Sequence, residues 1–195
     1  MKALNQSQLN SAEFASRVAD FKSNLKSSLH GEYEIKATKT KYIFSAGTID
    51  VQVATTIKDV KPTDHLMVMV DDVTGLDAKG GPRGGVAAMG GRIAYVQSTE
   101  GGNNMTHEFG HNMGLIHNWE SRITEDNGDD NYMSYSLDKM SSFSGRQLYN
   151  SMTGDLNQGS NSSTLSAPAL ITEQTTQKKP YLKGQEGDKV PKALE

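Results

Sequence analysis

The chain contains no cysteine. No disulfide framework can staple it, and no thiol can act as a metal ligand, a nucleophile or a latency switch. The absence does not decide the compartment, since many exported proteins lack cysteine. Positive charge is not in excess either: 20 Lys and Arg stand against 23 Asp and Glu, a formal charge of −3. That balance carries no electrostatic footprint for nucleic acid. No apolar run approaches the length of a membrane span. The opening residues Met1–Asn5 carry no apolar signal-peptide core. With an ending such as Leu194-Glu195, this start suggests a trimmed piece, such as an excised catalytic domain. Hydrophobic residues make up only 35 % of the 195 positions. That length suits one domain with a real core.

The apolar pattern places the elements. Leu9, Phe14, Val18, Phe21 and Leu25 recur at helical spacing and predict an amphipathic helix over 8–28, with Ser11 and Glu13 favouring its first turn and His30-Gly31 its stop. His30 reads as a helix-end residue. Five short strands are expected next. Tyr33–Thr38 alternates weakly, and Thr48–Thr55 sets Ile49, Val51 and Val53 on one face. His65–Val70 is a continuous apolar run that reads as a buried central strand, with Asp64 and His65 solvent-facing at its entrance. Gly85–Met89 and Arg92–Gln97 follow, joined by the hairpin signal Gly90-Gly91. The glycine-rich stretch 74–84 lacks the Gly-Lys-Ser/Thr and the helix start of a phosphate loop. Ser141–Met152 predicts a last helix anchored by Phe143, Leu148 and Met152. Residues 153–195 are polar and aperiodic and read as an extended or disordered tail.

Between the last strand and that helix lies His107-Glu108-Phe109-Gly110-His111-Asn112-Met113-Gly114-Leu115-Ile116-His117. On a helix, His107 and His111 are one turn apart and share a face, so their imidazoles can converge on one metal ion. Glu108 sits beside the first of them, within reach of a water on that metal. Gly114 suits the left-handed residue that ends a helix and turns the chain sharply. The turn can bring His117 back as a third ligand. Three protein ligands leave a fourth tetrahedral position open, the mark of a catalytic zinc site. Three of the five histidines lie in the pattern. Its chance occurrence is on the order of 10⁻⁵ per chain.

The H-E-x-x-H-x-x-G-x-x-H pattern resembles the signature of the metzincin zinc endopeptidases. Asn131-Tyr132-Met133-Ser134-Tyr135, with Met133 sixteen residues after His117, resembles the methionine turn of that family. The resemblance implies that Met133 forms the hydrophobic base beneath the imidazoles. It implies that Tyr135 approaches the metal and stabilises the oxyanion, as in the branches with a tyrosine at that place. It also implies that Gly85, Val86, Ala87, Ala88 and Met89 form the edge strand on which an extended peptide substrate adds as a further strand. Asn118, after the third histidine, matches none of the glutamate, proline, serine or aspartate that distinguish astacins, serralysins, matrixins and adamalysins. Pappalysin-like and unclassified bacterial metzincins are the nearest groups.

The implied fold is α+β, metzincin-like: a twisted, mostly parallel sheet with an antiparallel edge strand, a backing helix and a zinc helix over residues 1–117. Residues 118–152 would form a small lower subdomain with the methionine turn and one helix. The family usually has a strand before its first helix, and only about seven residues precede this one, so sheet order in residues 1–60 stays open. The implied activity is hydrolysis of peptide bonds in a peptide or protein substrate. One Zn²⁺ would be held by His107, His111 and His117, with Glu108 as general base. Glu125–Asn131 is rich in the oxygens Ca²⁺ prefers, but its spacing matches no EF-hand, and a solvated acidic turn is expected. The chain is expected to be a monomer, secreted or exported. A toxin-type effector protease, a non-cleaving peptide-binding module and a hydrolase of non-protein amides stay open as alternatives.

Overall fold

The computed structural model describes residues 1–35, 37–45, 49–61, 63–73, 84–87, 89–118, 130–134 and 140–153. The described chain is α+β. Its main sheet comprises β1 (Lys2–Asn5), β4 (Gln52–Ala54), β5 (Leu66–Val70), β6 (Gly85–Ala87) and β7 (Ile93–Gln97). They lie in the order β4-β1-β5-β7-β6. All neighbours are parallel except β6, which runs antiparallel to β7 at the edge. A separate antiparallel hairpin joins β2 (His30–Ile35) to β3 (Thr40–Ser45).

β5 is buried along its whole length, as its unbroken apolar run requires. Alternation then splits the core in two. Met67 and Met69 face the helices with Ala3, Ala94 and Val96. Leu66, Val68 and Val70 face the other side, where Val60 and Val73 cover them. Helix α1 (Ser11–Ser28) buries the predicted stripe Phe14, Val18, Phe21 and Leu25. Each such side chain contributes about 1.5–3 kcal/mol when fully buried. The helix starts at Ser11 and not at residue 8. Its N-cap is Asn10, whose side chain accepts from the Ala12 and Glu13 amides while the Glu13 carboxylate accepts from the Asn10 amide.

The sheet order left open for residues 1–60 includes a strand before the first helix: β1 lies inside the sheet between β4 and β5. Four residues sufficed, because both neighbours supply hydrogen bonds and Ala3 and Leu4 are buried. The helix stops where expected, with Leu29 as its C-cap, and His30, directly after the cap, also opens β2 and is exposed. Thr40–Ser45, with no strong alternation of its own, is a strand because β2 pairs with it. In the Thr48–Thr55 segment only Gln52–Ala54 pairs as a strand. Val51 is fully buried while Ile49 and Val53 are exposed, so they do not share a face. His65 is half-buried and not solvent-facing, its ring edge-on to Phe109 at 6.2 Å. Burial and the neighbouring Arg92 hold its pKa below the usual histidine value.

Helix α2 (Gly102–Asn112) follows β7 and packs between α1 and the sheet. Gly102 lies so close to α1 that a Cβ there would meet Asp20 and the Phe21 backbone below 3 Å. Helix α3 (Gly145–Thr153) begins later than Ser141. Ser144 caps it, its hydroxyl accepting from the Gln147 amide at 3.1 Å. Phe143 and Leu148 join the main core as expected. The hairpin docks on α3: Tyr33 and Tyr42 both stack against Tyr149, at 5.1 and 4.8 Å. Residues from the first third of the chain thus clasp its last described helix. The 74–83 stretch, Ala88, residues 125–129 of the acidic loop, Tyr135 and the 154–195 tail lie outside the described residues.

Candidate metal centre

Helix α2 carries the first two histidines on one buried face, with His107 4 % and His111 7 % exposed. The helix then closes by the route its glycine suggested. Gly114 adopts φ 88°. The Gly114 amide donates to the His111 carbonyl at 2.8 Å and the Leu115 amide to the Gly110 carbonyl at 3.0 Å. This is the Schellman arrangement, which satisfies two helix-end carbonyls and reverses the chain. The reversal returns His117 to the other two. Ring centroids are 4.8 Å apart for His107 and His111, 4.6 Å for His111 and His117, and 5.3 Å for His107 and His117. One ligand nitrogen from each can be chosen so that all lie within 4.8 Å of one another.

The protonation states follow from the partners. His107 Nδ1 lies 2.6 Å from the Tyr132 carbonyl oxygen, and His111 Nδ1 2.8 Å from the Leu115 carbonyl oxygen. A carbonyl can only accept, so each Nδ1 carries the proton and each Nε2 presents its lone pair. Burial drives all three imidazoles toward the neutral form. The pKa falls to about 3 for His107, where the His111 charge adds to burial. It falls to about 4 for His111 through burial, and to about 2 for His117 through burial and then the other two histidines. Neutral imidazoles with oriented lone pairs fit a divalent transition metal, and the three can hold one ion.

Glu108 is 6 % exposed on the same helix. Its carboxylate lies against the start of β6: a Cβ built on Gly85 would stand 2.6 Å from Glu108 Oε1. The general-base candidate and the edge strand therefore touch because residue 85 has no side chain. β6 covers Gly85, Val86 and Ala87 only, shorter than the expected Gly85–Met89. Met89 belongs to the following turn, where Gly90 takes φ 68°. That turn ties to α2 through the Gly90 amide, which donates to the His111 carbonyl at 2.8 Å.

Met133 is fully buried, with its sulfur against Gly110 on α2. Its carbonyl accepts from the Asn118 amide at 3.0 Å, next to His117. The turn that carries Met133 is thus tied to the chain beside His117. Three residues of this centre had no assigned role in the sequence. Gly110 admits Met133, and its signal was present: a glycine inside a helix costs about 1 kcal/mol and needs a reason. Asn131 holds the turn, its Oδ1 accepting from the Met133 amide at 2.8 Å. Gln147 has no local signal at all. No family model matches the chain, and no curated relative is found at significant similarity.

Proposed function

We propose that the protein is a zinc-dependent endopeptidase of metzincin-like fold, with residues 1–117 above and 118–152 below a substrate cleft. The observation that carries the reading is the convergence of three neutral imidazoles beside a buried glutamate that abuts a sheet edge. His107, His111 and His117 would hold one Zn²⁺. Zinc there would supply Lewis acidity, drawing the pKa of a water toward neutrality and polarising the scissile carbonyl. Glu108 would accept the proton of the attacking water and pass it to the leaving amine. Tyr135 would donate a hydrogen bond to the developing oxyanion.

β6 would take the substrate as an added strand. It ends the sheet, and among the described residues no strand pairs with its outer side. A peptide laid there would pass Glu108 because Gly85 brings the strand onto the carboxylate. No described helix is long and apolar enough to cross a membrane. We take the enzyme to act as an exported monomer on peptide or protein substrates. A peptide-library digest read by mass spectrometry tests the reading, run beside Glu108→Ala. Wild-type protein with zinc should cleave, and the variant should keep its metal and lose about 10²–10⁴ in rate. Equal cleavage by both would sink the mechanism.

A further inference from the structure

Gln147 is fully buried on α3 and 40 positions from His107 in sequence. Its Oε1 accepts two hydrogen bonds at 2.9 Å, from the Ser144 amide and from Asn131 Nδ2. The orientation of both amide groups is settled by backbone donors. The Ser144 N–H can only donate, so the Gln147 atom facing it is the oxygen. The Met133 N–H can only donate, so the Asn131 atom facing it is Oδ1, which leaves Nδ2 toward Gln147.

The connection runs on to the histidines. Asn131 is gripped at both ends of its side chain, by Gln147 and by the Met133 amide. Tyr132 sits between them, its own amide donating to the Ser142 carbonyl at 2.7 Å. Its carbonyl is the acceptor for His107 Nδ1. The next carbonyl, that of Met133, holds the Asn118 amide beside His117. Two of the three histidines therefore take their placement from a turn whose anchor is Gln147.

We propose that Gln147 is a positioning residue for the metal centre, acting through Asn131 and the Tyr132 carbonyl on the tautomer and ring orientation of His107. The proposal rests on the triad binding a metal and is independent of proteolysis. Removal of such an outer partner typically lowers metal affinity 10–100-fold.

The test uses Gln147→Met and Gln147→Glu in the full chain. Methionine keeps the volume and loses the acceptor. Glutamate keeps an oxygen at Oε1, and its second oxygen replaces Nε2, which has no hydrogen-bond partner among the described residues. Zinc affinity is measured by competition with a chromophoric chelator, and the His107 tautomer by imidazole nitrogen shifts of metal-free protein. Gln147→Met should bind zinc at least tenfold more weakly and show His107 averaging between tautomers. Gln147→Glu should restore both. A folded Gln147→Met with wild-type affinity and an unchanged His107 signal overturns the proposal. If Gln147→Met does not fold, wild-type exchange rates decide: the His107 Nδ1 and Met133 amide protons should exchange slowly, and fast exchange of either refutes the relay. Zinc bound without any peptide cleavage would count against the endopeptidase reading alone.

Discussion

His107 Nδ1 meets the Tyr132 carbonyl at 2.6 Å, across 25 positions of sequence. That bond joins helix α2 to the turn at Asn131–Ser134 and selects the His107 tautomer.

Metal retention should depend on all three histidines. His111 holds its own tautomer through Leu115, on the turn that leads to His117. Two imidazoles cannot replace a three-ligand catalytic set. Elemental analysis of purified His111→Ala should find zinc well below the wild-type content. Wild-type content in that variant would remove His111 from the ligand set.

Gly110→Ala should destabilise the protein despite alanine's better helix propensity. The gain is about 1 kcal/mol. The added methyl would overlap the Met133 sulfur and approach the Phe143 ring at 3.1 Å. Met133 is fully buried and Phe143 nearly so, so neither can retreat cheaply. Overpacking of this kind costs about 1–3 kcal/mol. The expected result is a lower melting temperature with weaker zinc binding. A raised melting temperature would show that Met133 has room to move.

Metal-free protein should be acid-labile. In the unfolded chain each motif histidine titrates near the ordinary 6.5, whereas in the fold burial lowers the values to about 3, 4 and 2. Between those limits the unfolded state binds more protons. Stability is therefore full above about pH 6.5 and falls as pH drops below it, by up to about 1.4 kcal/mol per pH unit for each imidazole that stays neutral. The three contributions share one direction, and part of the depression at His107 and His117 is their mutual repulsion with His111. Chemical denaturation of the apo protein between pH 7.5 and 5 measures this, and a flat profile would contradict the burial. Zinc should protect, since protons and metal compete for the same nitrogens.

Tyr135→Phe separates turnover from metal retention. The residue follows the methionine turn by resemblance alone and lies outside the described residues. The variant keeps the ring and deletes the hydroxyl. Zinc content and melting temperature should stay near wild type, while kcat falls about 10²–10³, as for loss of one oxyanion donor. A wild-type rate would make Tyr135 ordinary packing.

The legible part of this protein is local. His107 and His111 share a face because of helical periodicity, and Gly114 reverses the chain because only a left-handed residue closes that helix end, so eleven consecutive residues suffice to write the triad. The α1 stripe and the buried β5 run are legible for the same reason: each follows from a short repeat of apolar side chains. Other features depend on partners distant in sequence. β1 is too short to announce itself and exists as a strand because β4 and β5 flank it. β3 is a strand because β2 offers it a ladder, and their hairpin has its place because Tyr149 receives Tyr33 and Tyr42. Gln147 carries no pattern, since its role rests on an oxygen that packing brings to Asn131. The sequence by itself determined which groups could bind a metal. The tertiary structure decided what holds them in register, because hydrogen bonds between distant segments form only once the core has set the distances.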